Sequence, residues 1–457
     1  MTQLPESPLP VPDTSDRLLE ARDYIRQSRP RAREGHLLRT SRGGHLFVTD
    51  GSRLFDAPDP VWTRLEAATG SGKLGEGLAA LGFAGQPRID DTPLKSPPLH
   101  ALSLAVAQKC NLGCTYCYAQ QGSFGGTARN MSLETATRAA DLLLDGATPG
   151  ARLNLAFLGG EPLANRPVIQ AVTRHAAERA RSLGLTLTFS ITTNGTLLSP
   201  GDAEFLEEHG YAVTISLDGT REVHDRQRPF KDGRGSFDRI LERVRPLLAL
   251  QRRMQVSARV TVTPSNLSLR PTLEAFLAEG FHSVGFSPLL RSPNGTGELG
   301  AADFEVFLAE MIDCGREYLR RNQRGERYAF ANLVNALREI GKGTHRPYPC
   351  GAGAGYLGVS ADGDLAACHR FVGDLEGRMG SLALGVDPEL QDAWLAERHV
   401  HRQEPCNGCW ARYLCGGGCH HEVIQRGRPA CDYIRGWLQF CLEAYLQVSP
   451  DPGGTPS

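Results

Sequence analysis

The chain has 457 residues, 40% of them hydrophobic and 22% charged, with a formal net charge of −1. That length implies two or three domains, and that charge gives no reason to expect nucleic acid or another polyanion as partner. No apolar run is long enough to span a membrane, and Met1 to Asp16 is polar and proline-rich, without the apolar centre of a signal peptide. The anomaly is the twelve cysteines, which are clustered, as metal ligands are. The expected compartment is the cytoplasm, where thiols stay reduced and thiolate–metal chemistry is favoured over disulfides.

Residues 1–34 read as a loose tail followed by a short charged helix near Ser15 to Ser28. A small domain is expected over 35–95. In it, His36 to Arg39 and His45 to Thr49 flank Gly43-Gly44 as a hairpin, and a third short strand follows near Arg53 to Phe55. Pro60 to Ala68 reads as a helix with proline in its first turn, and Leu74 to Leu81 as another. From 96 to 345 the pattern alternates. Strands are expected at Ala101–Ala107, Arg152–Phe157, Thr186–Thr192, Ala212–Leu217, Gln255–Val262 and Ser283–Ser287. Helices are expected at Ser132–Leu144, Pro167–Leu183, Pro200–His209, Ser236–Leu248, Leu269–Ala278 and Ala302–Arg320. Six β/α units predict an α/β fold, a partial (β/α)6 TIM-like barrel with its chemistry on the loops after the strand C-termini. After about Thr344 this rhythm stops, and 346–445 is a cysteine-rich domain. The proline- and glycine-rich end, 446–457, is expected to be disordered.

The first strand, an apolar run from His100 to Ala107, leads into Cys110-Asn-Leu-Gly-Cys114-Thr-Tyr-Cys117. Three cysteines at C-x3-C-x2-C spacing on one loop can turn toward one point. Three thiolates suit a cubane iron–sulfur cluster in which one iron lacks a protein ligand, whereas a closed structural site normally has four. A zinc knot or a few buried thiols is the plainer alternative. With Tyr116 just before the third cysteine, the stretch resembles the signature of radical S-adenosylmethionine (SAM) enzymes. The resemblance implies a [4Fe-4S] cluster whose open iron chelates the amino and carboxylate groups of SAM. One electron then cleaves SAM, and the resulting 5′-deoxyadenosyl radical takes hydrogen from an inert C–H bond.

Other strand ends carry further resemblances. Leu158-Gly159-Gly160-Glu161-Pro162 follows the second strand, and its glycines permit close backbone approach. It resembles the family's GGEP motif, whose backbone contacts the SAM amino group. Thr192-Thr193-Asn194-Gly195-Thr196 follows the third strand, and Ser216-Leu217-Asp218-Gly219 ends the fourth. Both resemble segments lining the SAM pocket, with Asn194 and Ser216 the candidate contacts to ribose or carboxylate; each can equally satisfy a turn. Arg259, on the fifth strand, either grips the SAM carboxylate in bidentate fashion or makes an ordinary ion pair. His224-Asp225-Arg226-Gln227-Arg228 and Gly233-Arg-Gly-Ser-Phe237 read as a charged loop over the strand ends, a solvated cover or a substrate contact.

The C-terminal cysteines run C-x12-G-x4-C from Cys350 through Gly363 to Cys368, then C-x2-C-x5-C-x3-C over Cys406, Cys409, Cys415 and Cys419, and finally Cys431. This closely resembles the seven-cysteine SPASM domain, which holds two auxiliary iron–sulfur clusters, taken here as [4Fe-4S]. Carried over by motif position, Cys406, Cys409, Cys415 and Cys431 would hold the outer cluster, and Cys350, Cys368 and Cys419 the inner one. The inner cluster then lacks a fourth ligand from the motif. Tyr356 lies nearby in sequence, and Cys314 and Cys441 are unassigned: they complete the site or are buried bystanders. An open inner iron would let a substrate cysteine bind there.

Enzymes of this architecture mostly modify peptides or proteins. The implied partners are a ribosomally made peptide or small protein and a reductant such as flavodoxin or ferredoxin. The three small strands and following helices resemble the element that captures leader peptides, where an edge strand adds the peptide as a further strand; a structural adjunct to the barrel is the alternative. Cys117-Tyr-Ala-Gln-Gln-Gly-Ser-Phe-Gly-Gly126 and Ala367-Cys-His-Arg-Phe-Val-Gly-Asp374 resemble thioether-forming maturases, those of the quinohemoprotein amine dehydrogenase small subunit and of ranthipeptide pathways. Thioether cross-linking is therefore the expected activity. Anaerobic sulfatase-maturing enzymes, which make formylglycine, are the second reading. They carry an Asp base directly after the second SPASM cysteine, where this chain has His369, which is either a substituted base or structural. Carbon–carbon or carbon–oxygen cross-linking is the third. A metal-loaded scaffold or electron carrier is the non-enzyme alternative, and the GGEP segment, the Thr-Asn-Gly turn and Ser216 at successive strand ends speak against it.

Overall fold

A computed structural model describes residues 14–83 and 91–449; the remainder of the two expected tails lies outside them. The chain opens with helix α1 (Thr14–Gln27) and an antiparallel sheet of β1 (Gly35–Thr40), β2 (Gly43–Val48) and β3 (Arg53–Asp56). Thr40 pairs with Gly43, so the hairpin turns at Ser41-Arg42, two residues earlier than the glycine pair suggested. Gly44 is instead a packing position: a Cβ there would lie 2.4 Å from the Trp62 ring. Trp62 belongs to α2 (Asp59–Gly70), which with α3 (Leu74–Leu78) covers the sheet. Leu46, Val48, Trp62, Leu65, Leu74 and Leu78 form a separate small core.

The barrel strands are β4 (Ala101–Gln108), which a two-residue β5 (Arg129–Asn130) joins antiparallel, then β6 (Arg152–Gly159), β7 (Thr186–Thr193), β8 (Ala212–Ser216), β9 (Gln255–Val262) and β10 (Ser283–Pro288). All but β5 run parallel in the order β4-β6-β7-β8-β9-β10. The crossovers hold α4 (Leu133–Asp145), α5 (Arg166–Ser182), α6 (Pro200–Glu208), α7 (Arg221–Gln227), α8 (Phe237–Leu250) and α9 (Leu269–Ala278), with α10 (Ala301–Gln323) and α11 (Ala331–Gly341) after the last strand. This is a partial (β/α)6 barrel. The two-residue period explains it: Val256, Ala258, Val260 and Val262 are buried toward the helices, and Ser257, Arg259 and Thr261 take the opposite face. That inner face is polar. Ser190 donates to Asn154 Oδ1 (3.1 Å), and the Ser257 and Ser283 hydroxyls meet at 2.9 Å.

The C-terminal region contains β11 (Tyr356–Val359), β12 (Asp364–Ala366), β13 (Arg378–Ser381), β14 (Gly385–Val386), α12 (Pro388–Arg398), α13 (Arg412–Cys415), α14 (His420–Arg426) and α15 (Cys431–Val448). Although the β/α rhythm stops before it, this region continues the barrel sheet. β11 pairs parallel with β4, Tyr356 opposite Ala101, and β12 to β14 extend the sheet antiparallel. The same region also covers the mouth. Arg370 stacks 5.0 Å above the Tyr118 ring, on the loop after β4, and Arg426 donates to the carbonyls of Leu290 (2.6 Å) and Leu299 (2.9 Å) after β10.

A wholly buried Trp410 fastens the N-terminal part to this region. It stacks on His36 at 4.2 Å and donates to the Ser28 carbonyl at 2.8 Å. Among the described residues no helix is long and apolar enough to cross a membrane.

Candidate functional site

Cys110, Cys114 and Cys117 lie on the loop after β4, at the C-terminal ends of the barrel strands. The loop is braced from below. Gly113 N–H donates to Pro229 O (2.8 Å), Thr115 N–H to Gln227 O (3.1 Å), and Lys231 N–H to Asn111 O (3.3 Å). The Cys110 sulfur accepts from Leu112 N–H at 3.5 Å and from the Asn194 amide at 3.6 Å. Burial pushes the Cys114 thiol up to about 12, against the opposing pull of Arg228, while the neighbouring Cys117 and Cys110 sulfurs push it further. Thiols so disfavoured as free thiolates gain most by binding a metal that displaces their protons.

The GGEP loop presses onto this cysteine loop. Gly159 has φ +140°, and a Cβ on Gly160 would lie 2.4 Å from Lys109 O and 2.6 Å from Gly122 Cα. The Glu161 side chain is fully buried with both oxygens engaged, which leaves the motif's expected contact to its backbone. The carboxylate accepts from Thr193 Oγ1 (2.6 Å), Asn194 N–H (2.8 Å) and Leu163 N–H (3.1 Å). Burial outweighs these bonds and pushes its pKa up to about 6. Pro162 is buried in the turn that follows. Glu161 therefore ties the second strand end to the third and acts through the shape of the turn.

Tyr116 and Asp218, which the sequence places in the cysteine motif and in a segment resembling the SAM-pocket lining, bond to each other. The Tyr116 hydroxyl donates to Asp218 Oδ2, which also receives Arg228 Nε at 2.8 Å, and Thr261 N–H reaches Asp218 Oδ1 at 2.9 Å. This hub corrects the reading of 224–228 as a solvated loop. Arg221–Gln227 is helical, His224 is fully buried with its pKa pushed down by burial to about 4, and Arg228 lies over the Tyr116 ring at 5.3 Å. Asp225 is turned inward to cap α8, accepting from Ser236 and Phe237 N–H. Asp218 and Arg228 are buried because they answer each other, a pairing that local sequence does not display.

Ser216 and Arg259 remain on the open inner face, side by side in register. Arg259 makes no ion pair among the described residues, so the ordinary ion pair allowed by the sequence is absent. Its guanidinium is reachable by water through the mouth yet walled by protein, and burial, then the nearby Arg370, lowers its pKa.

None of the twelve cysteines is in a disulfide. Those of the C-terminal region fall into two groups by mutual influence. Cys368 is pushed up to about 12 by burial and further by Cys419 and Cys350; Cys406 reaches about 12 by burial and through Cys415, Cys431 and Cys409. A cavity of about 80 Å³ is lined by Cys406, Cys409, Cys415, Cys419 and Cys431. Among the described residues no three His, Cys, Asp or Glu side chains converge tightly enough for a single ion. Soft sulfur donors around a dry hollow fit an iron–sulfur core. Cys314 and Cys441 lie elsewhere, fully buried within α10 and α15.

The space between the first cysteine set and the Cys350–Cys368–Cys419 set is bridged by His369 and Tyr356, both named from the sequence, and by Tyr118, Arg370 and Glu422, which sequence reasoning did not single out. Tyr118 feels both Cys117 and Cys368 and packs against His369 at 5.8 Å. Arg370 donates to Glu422 (2.6 Å) and to the Cys419 sulfur (3.6 Å). The Tyr356 hydroxyl donates to Ser103 Oγ (2.8 Å), which leaves its oxygen to accept from His369 Nδ1–H at 2.8 Å. His369 is thus neutral, its pKa pushed down by burial to about 3, with the lone pair on Nε2. For Tyr118, Arg370 and Glu422 the sequence signal was their place near motif cysteines.

Residues 104–268 match the family described as the Radical SAM superfamily. The chain is 27% identical over 366 residues to the serine-type anaerobic sulfatase-maturating enzyme of Klebsiella aerogenes, covering 75% of this chain and 85% of that one. It is 26% identical over 347 residues to the cysteine-type anaerobic sulfatase-maturating enzyme of Clostridium novyi, covering 71% and 88%. In fold it resembles native anSMEcpe with bound AdoMet (TM-score 0.61, 22% identity, 76% of this chain and 97% of that one). It also resembles Streptococcus suis SuiB bound to precursor peptide SuiA (TM-score 0.52, 17% identity, 87% and 97%). Residues 104–268 thus match the radical SAM superfamily, and the chain is similar in sequence to the anaerobic sulfatase-maturating enzymes and in fold to both anSMEcpe and SuiB.

Proposed function

We propose that the chain oxidises a side chain of a peptide or protein, in the manner for which its sulfatase-maturating relatives are named, with hydrogen taken first from an inert carbon. The observation that carries this reading is the mouth itself. Tyr118 neighbours Cys117 of the first cysteine set, Cys368 of the second, and Arg370, which in turn neighbours Arg259, an arginine with no ion pair among the described residues. Cys110, Cys114 and Cys117 would hold a [4Fe-4S] cluster. The Gly159-Gly160 backbone, Ser216 and Arg259 would hold SAM, Arg259 taking its carboxylate. Cys406, Cys409, Cys415 and Cys431 would hold one auxiliary [4Fe-4S] cluster, and Cys350, Cys368 and Cys419 another. When bound, the first cluster supplies the electron that splits SAM and releases a radical able to remove hydrogen from a C–H bond. The chain's own residues do the rest. Tyr118, Arg370 and Glu422 line the mouth, and His369 Nε2 offers a neutral lone pair there that burial makes a weak base. A one-electron carrier such as flavodoxin or ferredoxin would feed the site in the cytoplasm.

Thioether formation is the second reading, favoured by one specific observation. The inner set has three cysteines, and the two spare ones are buried in helices elsewhere, so a substrate cysteine could complete it. The test is to load the full chain with iron and sulfide anaerobically and supply SAM and dithionite. One peptide carries a sulfatase-type Ser or Cys; the other is any small cysteine-containing peptide encoded beside the gene. A hydrazide-reactive aldehyde on the first supports formylglycine formation. Loss of two hydrogens with an unalkylatable cysteine on the second supports the thioether reading. SAM cleavage with neither peptide altered refutes peptide oxidation of either kind.

A further inference from the structure

Asn194 was expected to touch the cofactor, but its amide is already fully engaged. Its Oδ1 accepts from Thr196 N–H at 3.0 Å, a group that can only donate. That fixes the amide orientation, so Nδ2 must face the other way, where its two protons go to Asn111 Oδ1 (3.0 Å) and to the Cys110 sulfur (3.6 Å). The turn cannot drift, because Asn194 N–H is held by Glu161 at 2.8 Å. Leu112 N–H reaches the same sulfur, so Cys110 receives two neutral dipoles. Cys114 is treated differently: its nearest compensation is the Arg228 cation, itself neutralised by Asp218.

We propose that Asn194 is a positioning residue that sets the reduction potential of the cluster Cys110, Cys114 and Cys117 would carry, and that it does not bind SAM. The inference rests on the functional reading above. A one-electron reduction adds negative charge to the cluster, spread over its sulfurs. An N–H dipole aimed at a ligand sulfur stabilises that charge more than it stabilises the oxidised form. Removing the donor makes the cluster harder to reduce by a protein electron carrier or by dithionite.

The test uses the full chain, reconstituted anaerobically, as wild type, Asn194→Ala and Asn194→Asp. The aspartate keeps the acceptor for Thr196, loses the donors to Asn111 and to sulfur, and adds a negative charge, so its shift should be at least as large as the alanine's. Iron content is measured, and reduction is followed by electron paramagnetic resonance against a series of fixed potentials without SAM. The relevant signal is the one that changes shape when SAM is added and is missing in Cys114→Ala. Both variants should keep wild-type iron and show this signal about tenfold harder to reduce, equivalent to about 59 mV more negative. An unchanged midpoint with weakened SAM affinity would make Asn194 a SAM contact and overturn the inference. Iron loss in both variants would make it a folding residue and overturn it as well. A wild-type chain with no SAM-responsive signal would overturn the functional reading itself, and the inference with it.

Discussion

Gly160→Ala tests the claim that the GGEP loop works by pressing backbone against backbone. Its Cβ would lie 2.4 Å from Lys109 O, 2.6 Å from Lys109 C and 2.6 Å from Gly122 Cα. All three are backbone atoms, so no side chain can swing aside. Contacts become tolerable near ~3.0–3.4 Å, so the two loops must part by about 0.6–1 Å. Lys109 precedes Cys110, so the movement falls on the cysteine loop, where a displacement of about 1 Å costs about a hundredfold in rate. The expected outcome is near-normal iron content with SAM cleavage under dithionite reduced about a hundredfold. Gly201→Ala is the control: a Cβ there meets nothing within 4 Å, and its cleavage rate should equal wild type. Wild-type SAM cleavage by Gly160→Ala would refute the argument, since the loop would then have slack that the contacts deny.

Asp218→Ala should cost about 3–5 kcal/mol in thermal unfolding of the iron-free chain, because it leaves the buried Arg228 without its carboxylate; a loss under about 1 kcal/mol would show that the hub is not holding the loop. Glu161 gives a pH signature. Its folded pKa of about 6 lies above the ordinary 4.5, so its contribution to stability is full below about 4.5 and is lost as pH rises through 6. Between those limits wild type should lose about 2 kcal/mol more stability than Glu161→Gln; parallel pH profiles would contradict the burial argument. Cys368→Ala should spare SAM cleavage while abolishing peptide product, and equal loss of both would point to misfolding.

The barrel was legible because its strands obey a two-residue period and its cysteine, GGEP and Thr-Asn-Gly segments each fall at a strand end. The helix Arg221–Gln227 was not, because it is short and charged and its buried His224 finds its partners, Asp218 N–H and Ser236, outside the helix. The same holds for Glu161 and Asn194. Their residue types signalled a site, but only the fold reveals that the partners are Thr193, Thr196 and a cysteine sulfur. β11 escaped notice for a different reason. Four residues, Tyr356–Val359, carry little periodicity, and their partner strand lies some 250 positions earlier in the chain. The fasteners of Trp410, Ser28 and His36, are equally remote in sequence.

That late pairing governs how the molecule can be made. β4 stands at the centre of the finished sheet, but the Ala101–Leu104 stretch of one edge stays bare until Tyr356–Val359 has left the ribosome. A nascent barrel ending at Gly341 would present a long apolar strand with unsatisfied N–H and C=O groups, a template for pairing with another chain. The loop bearing Cys110, Cys114 and Cys117 begins at the end of that strand, so its metal-loading machinery meets either an incomplete sheet during synthesis or a covered mouth after it. Trimming the chain to its barrel, or grafting a foreign cysteine-rich half onto it, would have to supply a replacement for those four residues first.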